Sequence, residues 1–176
     1  MNIHIRQEEP ADYPAVFELI EEAFRKLEIS NHQEQFFVER LRKSEAFVPE
    51  LLLVALLDNK IVGHIVLSKI DIKSDEKEFQ TLILAPVSVL PEFQNRGIGS
   101  QLIVEAHKKA IELGFTSVIL VGHEDYYPRF GYKKAIEFGI TQPFDVPEEN
   151  NLAVELVENG LKDVSGIVEY PKYFFE

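Results

Sequence analysis

Residues 87–100 read Val87-Ser88-Val89-Leu90-Pro91-Glu92-Phe93-Gln94-Asn95-Arg96-Gly97-Ile98-Gly99-Ser100. The stretch is a strand, a short loop with two glycines, and the first turn of a helix. The first N–H groups of a helix have no internal partner, and the helix dipole adds partial positive charge there. Successive donors from Asn95 to Ser100 can therefore surround a phosphate. Glycine at 97 and 99 lets a bulky pyrophosphate approach the backbone without meeting a Cβ atom, and Arg96 adds a formal positive charge. The same two glycines could simply relax a tight strand-to-helix turn. Two phosphate-binding patterns are excluded. The dinucleotide fingerprint needs a third glycine where position 102 is Leu, and the P-loop needs Lys-Ser/Thr where Ser100-Gln101 follow Gly99.

Downstream, 98–113 reads as a helix with Leu102, Ile103, Ala106, Ala110 and Leu113 inward and Gly114 as its terminator. The β-branched run Thr116 to Val121 follows, so strand, crossover helix and strand form a right-handed parallel unit. Upstream, a strand from about Phe79 to Leu90 is interrupted by Pro86, where a bulge or unpaired edge is expected. Leu51 to Leu57 and Ile61 to Ile72 form a hairpin about Asp58-Asn59-Lys60, and the charged stretch Asp71 to Glu78 is a solvated loop. At the N-terminus, Ile3 and Ile5 mark a first strand and Pro10-Ala11-Asp12 a stop and helix cap. A helix then presents Tyr13, Val16, Phe17, Ile20 and Phe24 on one stripe, with Pro14 tolerated in its first turn. A second helix runs from about Glu34 to Lys43 with Phe37 and Leu41 on one face. Further strands are expected at Lys133 to Thr141, Leu152 to Val157 and Gly166 to Tyr170. With no repeat or linker, the expectation is a single α+β domain over residues 1–176 with a mixed sheet.

Composition narrows the function. The chain has 176 residues, 45% hydrophobic and 27% charged, enough to build a core. Lys plus Arg number 18 against 30 Asp plus Glu, a net of -12, which disfavours a duplex nucleic-acid partner because phosphate neutralisation supplies most of that affinity. There is no cysteine, so disulfides, thiolate metal sites and thiol nucleophiles are all removed. The longest aliphatic run, Leu51 to Leu57, is far short of the roughly 20 residues a membrane span needs. The N-terminus lacks a signal-peptide pattern, so a soluble, cytoplasmic protein is expected. His4, His32 and His107 lack metal-ligand spacing and no metal is implied. His64, among Ile65 and Leu67, reads as a satisfied structural histidine.

The pattern Gln94-x-x-Gly97-x-Gly99 after a strand ending Val-x-Val-x-Pro resembles the acetyl-CoA-binding signature of the GNAT superfamily of N-acetyltransferases. Ile5-Arg6 with Pro10-Ala11-Asp12-Tyr13 looks like that family's first strand and helix. Tyr127-Pro128-Arg129-Phe130-Gly131-Tyr132 resembles its later Tyr-x-x-Leu/Phe-Gly-Phe segment, and Val121 to Tyr132 looks like a bacterial branch of predicted N-acetyltransferases. The resemblance covers residue 1 to about 141. It implies a splayed mixed sheet flanked by helices and acetyl-CoA as co-substrate. Pantetheine would lie on the main chain of Val87, Ser88 and Val89, and pyrophosphate on Gln94, Asn95, Arg96, Gly97, Ile98, Gly99 and Ser100. A small-molecule or peptide amine would be the acceptor, with no nucleic acid and no membrane, and a homodimer is admitted.

Acyl transfer to an amine needs a neutral amine, an oxyanion donor and an acid for the departing thiolate. Without cysteine, direct transfer in a ternary complex is the simplest route. The resemblance implies Tyr127 as the acid and the Val89 N–H as the oxyanion donor, while Tyr127 read alone could serve only packing. An alkyl amine with pKa near 10.4 is about 3.4 units above neutral, so its deprotonation costs roughly 4.6 kcal/mol. His123 and Glu124, just after the cofactor-side strand, are the candidate bases, and each could equally be a cap or a surface residue. The acceptor pocket is expected from the loop between the first two helices and from the last strands, regions that contain Arg25, His32, Glu34, Phe144 and Tyr170. A non-catalytic acyl-CoA-binding module is the alternative.

Overall fold

The computed structural model describes residues 1–175; Glu176, the last residue of the expected domain, lies outside the described residues. In chain order the elements are β1 (His4–Gln7), α1 (Tyr13–Phe24), α2 (Glu34–Arg42), β2 (Leu52–Leu57), β3 (Lys60–Lys73), β4 (Glu78–Val89), α3 (Ile98–Glu112), β5 (Ser117–Val121), β6 (Lys133–Lys134), β7 (Ile140–Thr141), β8 (Asn151–Glu155) and β9 (Gly166–Glu169). Short 3-10 turns join several of them, and the fold is mixed α+β. The chain divides into two compact units. Unit 1 holds residues Met1–Ser68, Ala85–Lys109 and the segment from Lys172, and unit 2 holds Lys69–Leu84 and Ala110–Pro171.

In unit 1, β1, β2 and the first part of β3 form an antiparallel ladder, with Ile5 opposite Ala55 and Val54 opposite His64. The hairpin turns on Asp58 and Asn59 at φ 50° and 66°, the pair of left-handed residues a tight right-twisting turn requires. Val16, Leu19, Ile20, Val38 and Leu41 bury one face of α1 and α2, and Ile98, Leu102, Ile103 and Ala106 bury α3. A Cβ added at Gly63 would come within 3.0 Å of Leu102 Cδ1, so the glycine is what lets α3 approach β3. The Leu90 N–H still donates to Val62 O at 2.9 Å, which anchors the strand end just before the loop.

In unit 2, β5 pairs antiparallel with β8, β8 with β6, and the end of β3 with β9, while β7 runs parallel to β9. The parallel ladder of β4 and β5 contains only Leu82 opposite Val118 and Ile83 opposite Ile119. It stops there although β4 continues to Val89 and β5 to Val121, so the sheet is splayed. The break falls just before the cis Ala85–Pro86 peptide, where the sequence leads one to expect an unpaired edge.

Several expectations need correction. The presumed loop from Asp71 to Glu78 is shorter, residues 74–77: β3 runs to Lys73 and β4 starts at Glu78, because the alternation of Ile70 and Ile72 continues the buried face. Lys133 to Thr141 is no single strand but two bridges, β6 and β7, around a 3-10 turn at Ala135–Phe138. Asp12 makes no side-chain cap for α1. Its carboxylate instead accepts from Arg6 at 2.7 and 3.0 Å and from the Glu9 N–H at 2.8 Å. Leu19 replaces Phe17 in the buried stripe of α1, and Phe17 packs edge-on against Phe36 at 5.3 Å. Leu113 is 40% exposed, since Gly114, at φ 91°, ends the helix beside it.

Candidate active site

The phosphate-loop residues lie together in unit 1. Val87 and Val89 are half-buried and Ser88 between them is buried, as pleating requires. Gln94 folds back so that its Nε2 donates to Val89 O at 3.0 Å, tying the loop to the strand end. Asn95 at φ 62° and Gly97 at φ 83° take left-handed conformations, and a Cβ at Gly97 would meet nothing within 4 Å. Residues 95–97 are exposed, and the first intrahelical bond of α3 runs from the Gln101 N–H to Gly97 O at 3.1 Å. The N–H groups of residues 95–99 therefore have no acceptor among the described residues and form an open row of donors. Arg96 stands above the Phe93 ring at 5.5 Å, which holds its charge beside that row.

The candidate acid and bases lie together in a turn of unit 2. His123 O accepts from the N–H groups of Tyr126 and Tyr127 at 3.2 and 3.4 Å, closing the turn. His123 and Glu124 are both exposed. The Tyr127 ring packs edge-on against Tyr126 at 5.1 Å and Tyr132 at 5.7 Å. Burial, with a smaller contribution from Tyr126, pushes the Tyr127 phenol up to about 12, so it is protonated throughout the physiological range. A Cβ at Gly122 would sit 2.5 Å from Tyr127 Cε2, so only glycine leaves room for this ring.

A third group in unit 1 escaped the sequence reading. Glu8, after β1, accepts from Arg42 Nη2 at 2.6 Å and Nε at 3.2 Å, and from His64 Nε2 at 3.0 Å. Arg42 also stacks on the Tyr13 ring at 3.8 Å. Burial by itself would raise the Glu8 carboxyl, but the hydrogen bonds and charges of His64 and Arg42 outweigh it and hold the group below its ordinary value. His64 is thus structural but only half satisfied, because its Nδ1 is buried without a partner.

The expected acceptor residues separate. Glu34 lines a cavity in unit 1, together with Arg40, Pro86 and Phe174, which the sequence reading missed. A usable signal existed in the three-residue steps from Glu34 to Phe37 to Arg40, which put one acid, one aromatic and one base on the same side of α2. Arg25 is exposed and pairs with Glu21 at 3.5 Å, and His32 is exposed at φ 59°. In unit 2, Phe144 and Tyr170 form a ring pair at 5.5 Å, and Tyr170 donates to Gln142 Oε1 at 2.6 Å.

No helix among the described residues is long and apolar enough to cross a membrane, and none of their acidic and histidine side chains form a group of three fit to hold a metal. A family model described as the Acetyltransferase (GNAT) family matches residues 13–132. Among curated relatives, a protein of Escherichia coli strain K12 described as "Uncharacterized N-acetyltransferase YjhQ" is 34% identical over 119 residues, which are 67% of this chain and 66% of YjhQ. "Uncharacterized N-acetyltransferase YhbS" of the same strain is 25% identical over 97% of both chains. Among solved structures, E. coli YhbS in complex with CoA superposes with a TM-score of 0.87 at 26% identity, covering 100% of this chain and 93% of that one. A GNAT acetyltransferase of Brucella melitensis in complex with acetyl-CoA gives 0.80 at 32% identity over 98% of both.

Proposed function

The chain belongs to the GNAT acetyltransferase family, and from that premise we propose that it transfers the acetyl group of acetyl-CoA directly to an amine in a ternary complex. The observation that carries this reading is the open row of N–H donors from Asn95 to Gly99, beside Arg96 and directly after β4. That row suits a pyrophosphate, and the main chain of Val87 to Val89 suits the pantetheine arm. The complexes of YhbS with CoA and of the B. melitensis protein with acetyl-CoA support the choice of co-substrate. Cytoplasmic residence belongs to the same reading, since acetyl-CoA is an intracellular metabolite.

In the reaction the amine nitrogen bonds to the thioester carbonyl carbon, the Val89 N–H stabilises the oxyanion, and the carbon–sulfur bond breaks. An acceptor arriving as ammonium loses two protons, one ending on the CoA sulfur and one in solvent. Tyr127 is the group that meets the departing thiolate. A phenol near 12 is a weaker acid than a thiol near 8.5, so it donates a hydrogen bond and passes its proton only as the amine's proton replaces it. His123 and Glu124 are the proposed relay of that proton to water, a reading supported by their exposure in the same turn.

Calorimetry with CoA, beside a thiol-release assay over an amine panel, tests the whole reading. Arg96→Glu should weaken CoA binding at least tenfold, and Tyr127→Phe should lose turnover while binding CoA normally. A wild-type kcat in Tyr127→Phe removes that assignment, and no CoA binding by the native protein removes the proposal.

A further inference from the structure

A cavity of about 350 Å³ lies entirely within unit 1, and α2 forms one of its walls. Glu34, Phe37 and Arg40 all line it, and six residues of helix place the two charged positions about 9 Å apart along the axis with the aromatic between them. Ile29, Ala85, Pro86 and Phe174 add apolar wall beside Phe37, and Ser30, Asn31 and Gln33 form a polar rim on the side of Glu34. The Ala85–Pro86 wall directly precedes Val87, so a molecule in the cavity lies beside the strand segment proposed to hold pantetheine.

Both charges are only partly used. Arg40 Nε donates to Tyr173 O at 2.8 Å, whereas its two terminal nitrogens have no acceptor among the described residues. Glu34 Oε2 accepts from Ser30 Oγ at 2.5 Å, whereas Oε1 is buried and has no donor. No ion pair joins the two residues. A guanidinium fork with free nitrogens is shaped for a carboxylate, and a buried carboxylate oxygen without a donor is costly until an N–H meets it. The order base, apolar wall, acid along α2 is the complement of carboxylate, apolar segment, amine.

We propose that the acceptor is an ω-aminocarboxylate, with its carboxylate on Arg40, its hydrocarbon against Phe37, and its amine donating to Glu34 Oε1. This rests on the acetyl-transfer reading and names the substrate class for it. The volume lies near the lower end of the roughly 300–1,000 Å³ of small-molecule sites. A protein lysine would bring the amine and the hydrocarbon but no carboxylate for the Arg40 fork. Because Oε1 is covered, binding of the amine requires a small rearrangement around Glu34.

The test is calorimetry on the full chain saturated with CoA. The probes are the series from 4-aminobutanoate to 8-aminooctanoate, each against the alkylamine and the alkanoate of the same length. At least one aminocarboxylate should bind tenfold or more tightly than both of its counterparts, and that same compound should release CoA thiol in the assay. Arg40→Gln should erase its advantage over the alkylamine, Glu34→Gln its advantage over the alkanoate, and Arg40→Lys should restore part of what Arg40→Gln removes. CoA affinity and melting temperature report whether each variant is folded, and if one is not, the other position carries the comparison. Equal affinities within a length series, or an advantage that survives both substitutions, overturns the inference. So does failure of every probe in a protein that binds CoA, and that result leaves acetyl transfer standing. Should CoA not bind, acetyl transfer falls, and the same titrations without CoA decide the cavity's ligand alone.

Discussion

Arg40 and Arg42 sit two positions apart near the end of α2, and their surroundings are opposites. Arg42 is closed in: both Glu8 oxygens accept from it, Tyr13 covers its plane, and its side chain is 8% exposed. Among the described residues Arg40 shares only its Nε, with a backbone carbonyl, and it lines a cavity together with a half-used carboxylate. A charge paired with a buried carboxylate and covered by a ring has little to offer a ligand. One held by a single bond among the described residues, in a recess with an aromatic wall, is available for recognition. The two arginines therefore separate stability from binding within one helix turn.

Removing the centre of the closed cluster should have the largest effect. Glu8→Ala leaves Arg42 and His64 buried without their counter-charge and should cost about 3–5 kcal/mol in urea unfolding. A loss below about 1 kcal/mol would make the closed cluster no tighter than a surface pair. The same carboxyl predicts acid sensitivity. Its pKa is held below the ordinary 4.5, so folding favours the ionised form. The stability this contributes is present above 4.5 and is lost as pH falls through the folded value. Asp12 adds in the same direction, since the Arg6 hydrogen bond lowers its carboxyl below 3.8 against the opposing effect of burial. Unfolding free energy should therefore decline as pH drops below about 4.5, and Glu8→Gln should flatten part of that decline. An unchanged pH profile in Glu8→Gln would remove the carboxylate from the account.

Next in size is a change that touches neither arginine. Gly122→Ala puts a methyl group into the Tyr127 ring and should cost about 1–3 kcal/mol, with turnover falling and CoA affinity unmoved. Intact turnover would mean that the exact seat of Tyr127 is irrelevant. The smallest effect on stability belongs to the open side. Arg40→Gln forfeits one hydrogen bond to Tyr173 O and should cost about 1 kcal/mol. A loss as large as that of Glu8→Ala would erase the contrast between the two arginines.

Much of the site was readable because it is local. Strand, glycine loop and helix start lie within fourteen consecutive residues, and the conformations of Asn95 and Gly97 follow from what those residue types tolerate. The end of α3 at Gly114 and the hairpin at Asp58 and Asn59 were legible for the same reason. Misreadings fell where packing competes with local preference. Charged Asp71 and Lys73 looked like loop yet belong to β3, because Ile72 between them is buried.

The sequence by itself determined the donor row after β4, the tyrosine-bearing turn and the absence of any thiol, since each depends on residue type and near neighbours. Only the tertiary structure decided which charges are spent. Glu8 meets Arg42 across 34 residues and His64 across 56, and Arg40 meets Tyr173 across 133. No periodicity registers such pairings, because they arise when separate elements bury their faces together and the polar groups caught between them must find partners or stay open to a ligand.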